Sequence, residues 1–292
     1  MKRFLLPLLV LLLFICNTAF SGASELEILG GFNGLTYNPS KIDAYSEPDT
    51  GKVFTYYPFW LANINFRHNI SELMNFRLNI ERDNILQNSL STLFGVKTDY
   101  INVNFGIFAG LTDKLAIPDA GITGNLELTS EKALFFSVSG SSTLATRYSF
   151  TSNNFRETAG VRLGVWIGNT IPSISADMKT FSKHIEGDIS TNDTLYKFSF
   201  KLDFLVKNTN TSGYVIGGYQ IYSRTYKREK IAFTDTLNSY FTGFGLYWYD
   251  KPVGFKIGIE VPFIILPKYP MTAAPTYLLF SKAYAGFVFT FD

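Results

Sequence analysis

Apolar and polar residues alternate with a period of two through most of this chain. In 74–81, Met74, Phe76, Leu78 and Ile80 interleave with Asn75, Arg77, Asn79 and Glu81. In 196–204, Tyr196, Phe198, Phe200, Leu202 and Phe204 interleave with Lys197, Ser199, Lys201 and Asp203. The stretches 101–107 and 161–167 repeat the pattern. Successive side chains of a β-strand point to opposite faces, so each such stretch makes a strand with one apolar and one polar face. After the first residues, no stretch keeps a helical apolar stripe for three turns or runs 18 apolar residues without a break, which excludes membrane-spanning helices.

The N-terminus reads differently. Met1-Lys2-Arg3 is followed by an apolar run from Phe4 to Ile15, then Ser21-Gly22-Ala23 with small residues placed for cleavage after Ala23. The run is too short to span a membrane and has the layout of a secretory signal peptide over residues 1–23. Cys16, the one cysteine, follows the bulky Ile15, whereas a lipoprotein signal places a small residue there. Cleavage takes Lys2, Arg3 and Cys16 with it, so the formal charge of +2 falls to zero and no thiol remains. A mature chain of this kind has no disulfide and no thiolate metal site. It also lacks the basic stripe of an electrostatic nucleic-acid binder.

Residues 24–292 divide at Gly, Pro, Asn, Asp and Ser punctuation into 14 expected strands. They are 25–37, 59–70, 74–86, 89–97, 100–110, 119–128, 133–145, 158–168, 173–183, 194–206, 213–226, 238–249, 254–264 and 276–291. Two merges would give 12. Every second connection is short, as at 71–73, 98–99, 129–132, 169–172, 207–212 and 250–253. The others are mostly longer and polar, 38–58 the longest, then 146–157, 184–193, 227–237 and 265–275. Only the connection near Gln87–Asn88 breaks that rule.

An even number of strands with short turns at one end and long loops at the other is the plan of a transmembrane antiparallel β-barrel, its short turns periplasmic and its longer loops extracellular. Hydrocarbon offers no partner to a backbone amide, so a membrane-spanning sheet must close on itself. A secreted β-sandwich would also alternate. Against it stand the aromatic-rich apolar faces (16% of residues are aromatic) and the charges in mid-strand on the other face.

By parity those charges line the lumen: Arg67, Arg77, Lys97, Arg162, Lys179, Lys197, Lys201, Lys256 and Lys282, against Glu25, Glu27, Glu81, Glu127, Asp177, Asp203 and Glu260, with asparagines between them. Charges in a dry interior are very costly unless paired, so this lining predicts water, ion pairs across the bore, or both. Eight strands are filled by side chains and 16 to 18 leave an open channel, so 14 predict a narrow wet passage. Mixed signs argue against selection by a ring of one charge. Aromatics near strand ends predict interfacial girdles: Tyr56, Tyr57 and Trp60 at the second strand, Tyr247, Trp248 and Tyr249 at the twelfth.

The signal peptide, the alternating strands and a final strand in which Ala283, Ala285, Phe287, Phe289 and Phe291 alternate before Asp292 resemble bacterial outer-membrane β-barrels of the porin type. The resemblance spans the mature chain and is architectural. It implies outer-membrane lipid as surroundings and assembly by the barrel-insertion machinery through the C-terminal strand.

No pattern suggests catalysis or a cofactor. His68 shares parity with Ala62, Ile64 and Phe66 and points outward, and Ser71 is poorly placed to pair with it. His184 with Glu186 and Asp188 in an expected loop is an unspecific metal pattern, so no metal is expected. The expected function is a porin-like channel passing small polar solutes by diffusion. The alternatives are a barrel guiding hydrophobic ligands, marked by a continuous apolar path, and a structural or adhesive surface barrel, marked by a bore crossed by ion pairs.

Overall fold

A computed structural model describes residues 23–33, 59–83, 85–111, 117, 119–130, 133–144, 154–184, 189–206, 210–228, 231–267 and 282–291. The expected signal peptide up to residue 22 and the expected 38–58 connection, Tyr56 and Tyr57 included, lie outside them.

Fourteen strands follow in chain order. They are β1 (Ser24–Asn33), β2 (Phe59–Asn69), β3 (Met74–Asp83), β4 (Gln87–Lys97), β5 (Ile101–Leu111), β6 (Ala120–Thr129) and β7 (Leu134–Thr143). Then come β8 (Phe155–Val165), β9 (Thr170–His184), β10 (Ile189–Leu205), β11 (Thr211–Arg228), β12 (Ile231–Asp250), β13 (Val253–Pro267) and β14 (Lys282–Phe291). Each pairs antiparallel with the next, and β14 pairs with β1 from Ser24↔Phe291 to Asn33↔Lys282, closing the barrel. All 14 expected strands are present, so the 12-strand reading falls. Closure leaves no edge whose amides would need water.

The apolar set faces out. Phe94, Phe105, Ile107, Ile174, Phe200 and Phe244 are all exposed, Ile107 by 63%. Such a band is unsuited to water. In lipid each large side chain contributes on the order of 1.5–3 kcal/mol. A surface hollow of about 940 Å³ lies in this band between Val161, Leu163, Ile174, Phe198 and Phe200, on the face that suits lipid.

The turns at the rim where β1 begins and β14 ends (the terminal rim) have at most five residues. At the distal rim, strand lengths diverge. β1 to β8 have 10 or 11 residues, a single membrane crossing for a tilted strand. β9 to β13 have 15, 17, 18, 20 and 15. This corrects two expected loops, since most of 184–193 and 227–237 continues the ladders, with Thr191↔Lys183 and Arg224↔Asp235 paired. His184 accordingly ends a strand.

Candidate lumenal site

The register carries the polar set around the barrel on a single face, with Arg67 opposite Arg77, Glu81 opposite Asn63, and Lys197 opposite Asp177. Contacts between strands that are not neighbours show that this face is the inside. Lys256 Nζ reaches Glu27 Oε2 at 2.7 Å from β13 to β1, and Lys197 Nζ reaches Glu260 Oε2 at 2.5 Å from β10 to β13. Lys179 Nζ reaches Asp83 Oδ2 at 2.7 Å and Glu81 Oε1 at 3.7 Å from β9 to β3, strands nearly opposite in the order of fourteen. Arg67, Arg77, Glu81, Glu127, Arg162, Asp177, Lys179, Lys197, Lys201, Asp203, Lys256 and Glu260 all lie on this face.

The two walls of the lumen differ. On β8 to β13 the charges are paired. Arg162 Nη2 meets Asp203 Oδ2 at 2.6 Å, and Lys201 Nζ meets Asp203 Oδ1 at 2.6 Å within its own strand. Asp177 accepts from Ser175 Oγ at 3.2 Å, and its register partner Lys197 turns instead to Glu260. A hollow of about 580 Å³ lies among Arg162, Lys201, Asp203, Lys256, Glu260 and Tyr214. On β2 to β6 asparagines dominate. Asn63 Nδ2 donates to Asn79 Oδ1 at 3.2 Å, Asn104 Nδ2 to Asn102 Oδ1 at 2.9 Å, and Asn102 Nδ2 to Glu127 Oε2 at 2.9 Å. Arg67, Arg77 and Lys97 share that wall.

Towards the distal rim the bore narrows further, and an ion pair of the expected kind crosses it. The β3–β4 turn folds inward, burying Ile85 and Leu86. Asp83 sets the turn, its Oδ1 accepting from the backbone N–H of Ile85 at 2.7 Å and of Leu86 at 2.9 Å, and Gln87 follows with φ of 60°. This local bonding suits Asp, whose short side chain mimics a backbone turn. The tip is then held from the far wall. Lys179 binds Asp83 Oδ2, and Arg156 Nη1 donates to the Leu86 carbonyl. Arg156 Nε also donates to Asp119 Oδ2 at 3.0 Å, and its guanidinium lies 4.5 Å from the centre of the Phe181 ring. Arg156, Asp119 and Phe181 are each at most 3% exposed. Beside them Asp193 accepts from Arg224 Nη2 and from Tyr222 Oη, both at 2.6 Å. Ion pairs and a few apolar side chains therefore cross the bore in one layer.

Sequence parity did not single out Asp83, Leu86, Asp119, Arg156 or Phe181. The available signal was the anomalous short connection near Gln87–Asn88, on the side where loops are otherwise long. Nor did it single out a register row running Tyr214, Gly245, Gly258, Tyr284. There the two phenol oxygens meet at 2.6 Å over the glycines. A Cβ on Gly258 would come within 2.5 Å of the Tyr284 ring.

The expected girdle at β12 is corrected. Three consecutive strand residues cannot all face lipid, and only Trp248 does, 48% exposed. Tyr247 turns into the lumen under Lys256 Nζ, 5.7 Å from the ring centre, and the Tyr249 hydroxyl lies 3.1 Å from Thr290 Oγ1. Trp60 stands outward at the distal end of β2, 69% exposed. His68 carries a hydrogen bond that parity could not reveal, its Nδ1 lying 2.9 Å from Ser24 Oγ across β1 and β2, with its ring parallel to Phe66. Among the described residues no group of three His, Cys, Asp or Glu is placed to hold a metal.

A closed 14-strand antiparallel barrel, apolar outside and polar within, has the architecture of bacterial outer-membrane β-barrels. Among solved structures it is similar to the COG4313 outer membrane channel from Pseudomonas putida F1, at 10% identity and a TM-score of 0.52, over 93% of this chain and 96% of that one. Weaker likenesses are OmpT, an outer membrane protein of Vibrio cholerae (8% identity, TM-score 0.42, 93% and 97% covered), and the anion-selective porin from Comamonas acidovorans (10%, 0.35, 92% and 99%). At these identities the likeness is one of fold. No protein-family model and no curated protein matches the chain.

Proposed function

We propose that the protein is an outer-membrane channel for small polar solutes, with the terminal rim in the periplasm and a constriction at the β3–β4 turn. The observation that carries this reading is the lining itself. Carboxylates, amines, guanidinium groups and amides face hollows of about 580 and 370 Å³, and charges held this way are tolerable only with water or partners. Short turns belong on the periplasmic side of such barrels, which orients the molecule. In this reading lipid covers the outward band, and the alternating end of β14, Phe287, Phe289 and Phe291, is what the assembly machinery reads. The likeness to an outer membrane channel supports it at the level of fold.

The constriction sets the conductance. In planar bilayers the folded protein is expected to give small single-channel currents. Lys179→Ala, which frees Asp83 from the far wall, is expected to give currents several-fold larger. A folded, inserted sample that carries no current in either form ends the channel reading.

A second reading has its own support. The bore is crossed near the distal rim, and β9 to β13 rise past it as paired strands, which suits a surface barrel that presents hairpins to a neighbouring molecule. It predicts that Lys179→Ala stays silent in bilayers. The hydrophobic-ligand reading has no comparable support, because cations break up the apolar residues of the lumen, Lys197 standing over the Phe241 ring and Arg156 over that of Phe181.

A further inference from the structure

The positive charges of the lumen fall into two groups. Arg156, Arg162, Lys179, Lys197, Lys201 and Lys256 each have a carboxylate oxygen within 2.9 Å. Lys282, alone at the distal end of β14, has none within 4.0 Å among the described residues, and neither have Arg67, Arg77 and Lys97, which stand together. These three line one hollow of about 370 Å³ near the terminal rim, a volume in the range of small-ligand pockets.

The cluster is arranged against its own repulsion. Arg67 and Arg77 stand directly opposite each other in the β2–β3 register, a placement that like charges disfavour. The Nε atoms of both are buried and make no hydrogen bond. Asn75, 3% exposed, lines the same hollow, and both atoms of its amide are without partners. A buried donor left unpaired is destabilising, and a ligand that pairs it relieves that cost. Nearby carboxylates lower the charge of the cluster without pairing with it: Asp99 lines the hollow too, so three cations stand there against two carboxylates. Glu127 also lines the hollow, but its oxygens accept from the amides of Asn102 at 2.9 Å and Asn125 at 3.2 Å. Glu25 faces Arg67 in register without approaching to 4.0 Å.

We infer that this hollow is a binding site for a small oxyanion, a phosphate or a carboxylate. Two guanidinium groups present planar sets of N–H donors matched to such oxygens, and Lys97 adds a mobile point charge at the open side. The Asn75 amide supplies a further donor from the floor. The site deepens the channel reading by naming anions as the solute class held at the periplasmic mouth, and it rests on that reading only for how the anion arrives.

The test is therefore one of binding alone. Folded protein in detergent at low ionic strength is dialysed to equilibrium against radiolabelled inorganic phosphate, with acetate in a parallel series. Saturable binding of either near one per chain is expected, weakening as chloride rises. Arg77→Gln is expected to weaken it at least tenfold. Lys227→Gln, which removes a cation from an exposed place on a distal hairpin, should leave it unchanged. No saturable binding, equal binding by Arg77→Gln, or equal loss in Lys227→Gln would overturn the inference. If Arg77→Gln does not fold, the exposed Lys97→Gln serves in its place, with the same reading of gain and loss. Phosphate bound by a protein that carries no current keeps this site and removes the channel. A conducting protein that binds neither anion does the reverse.

Discussion

At the scale of single residues, what the lumen tolerates is decided by whether a buried polar group keeps its partner. Arg156 holds three things together: the Asp119 carboxylate, the Leu86 carbonyl and the face of Phe181. Gly110 makes room for it, since a Cβ there would sit 1.9 Å from Asp119 Oδ1 and 2.7 Å from Arg156 Nη2. Arg156→Leu strands a carboxylate that is 1% exposed, so a loss of about 3–5 kcal/mol is expected, read as a lower denaturant midpoint for the folded form in detergent. The tyrosine pair allows a sharper comparison. Gly258→Ala pushes its methyl into the Tyr284 ring and is expected to cost about 1–3 kcal/mol, while Tyr284→Phe keeps the ring and loses a single hydrogen bond worth about 1 kcal/mol. If the phenylalanine variant proves the more damaging, the two glycines are not there to seat the rings.

At the scale of elements, the β3–β4 hairpin and the β9–β13 strands mark where the sequence was legible and where it was not. Alternation located all 14 strands, because a strand between lipid and water must carry its two faces in its residue order. It failed at the distal ends of β10 and β12. Ser190-Thr191-Asn192-Asp193-Thr194 and Thr234-Asp235-Thr236 are polar on both faces, as befits strands standing clear of the bilayer, and so read as loop. Alternation also assigned each lumenal charge to a face without showing which charges meet. Lys201 and Asp203 close on each other along one strand, whereas Lys179 reaches across the barrel to Asp83. Parity carries no information on such pairings, because the distance across a barrel depends on closure and not on residue order. The inward turn was visible only as a missing loop. Asp83 joins that turn to the far wall, so Asp83→Ala is expected to raise conductance as Lys179→Ala does. The double variant should gain little beyond either single one, a non-additivity that a double-mutant cycle on single-channel currents measures.

At the scale of the whole molecule, the seam between β1 and β14 turns a ribbon into a barrel, and the apolar outer band makes surfactant or lipid part of its stability. The folded protein should migrate differently in unheated and boiled samples on a detergent gel, and it should aggregate when detergent is withdrawn. A monodisperse solution without detergent would contradict the outward exposure of Phe105, Ile107 and Phe200. The two-sided lumen belongs to this scale as well: paired charges on one wall, amides and cations outside any ion pair on the other.

The β3–β4 tip adds one consequence. Its ties run to Lys179 and Arg156 on the opposite wall, and its own two strands stay laddered to β2 and β5 throughout. It behaves like a drawbridge chained at the free end: slackening one fastening should already widen the way, and no plank of the surrounding stave-work has to be lifted.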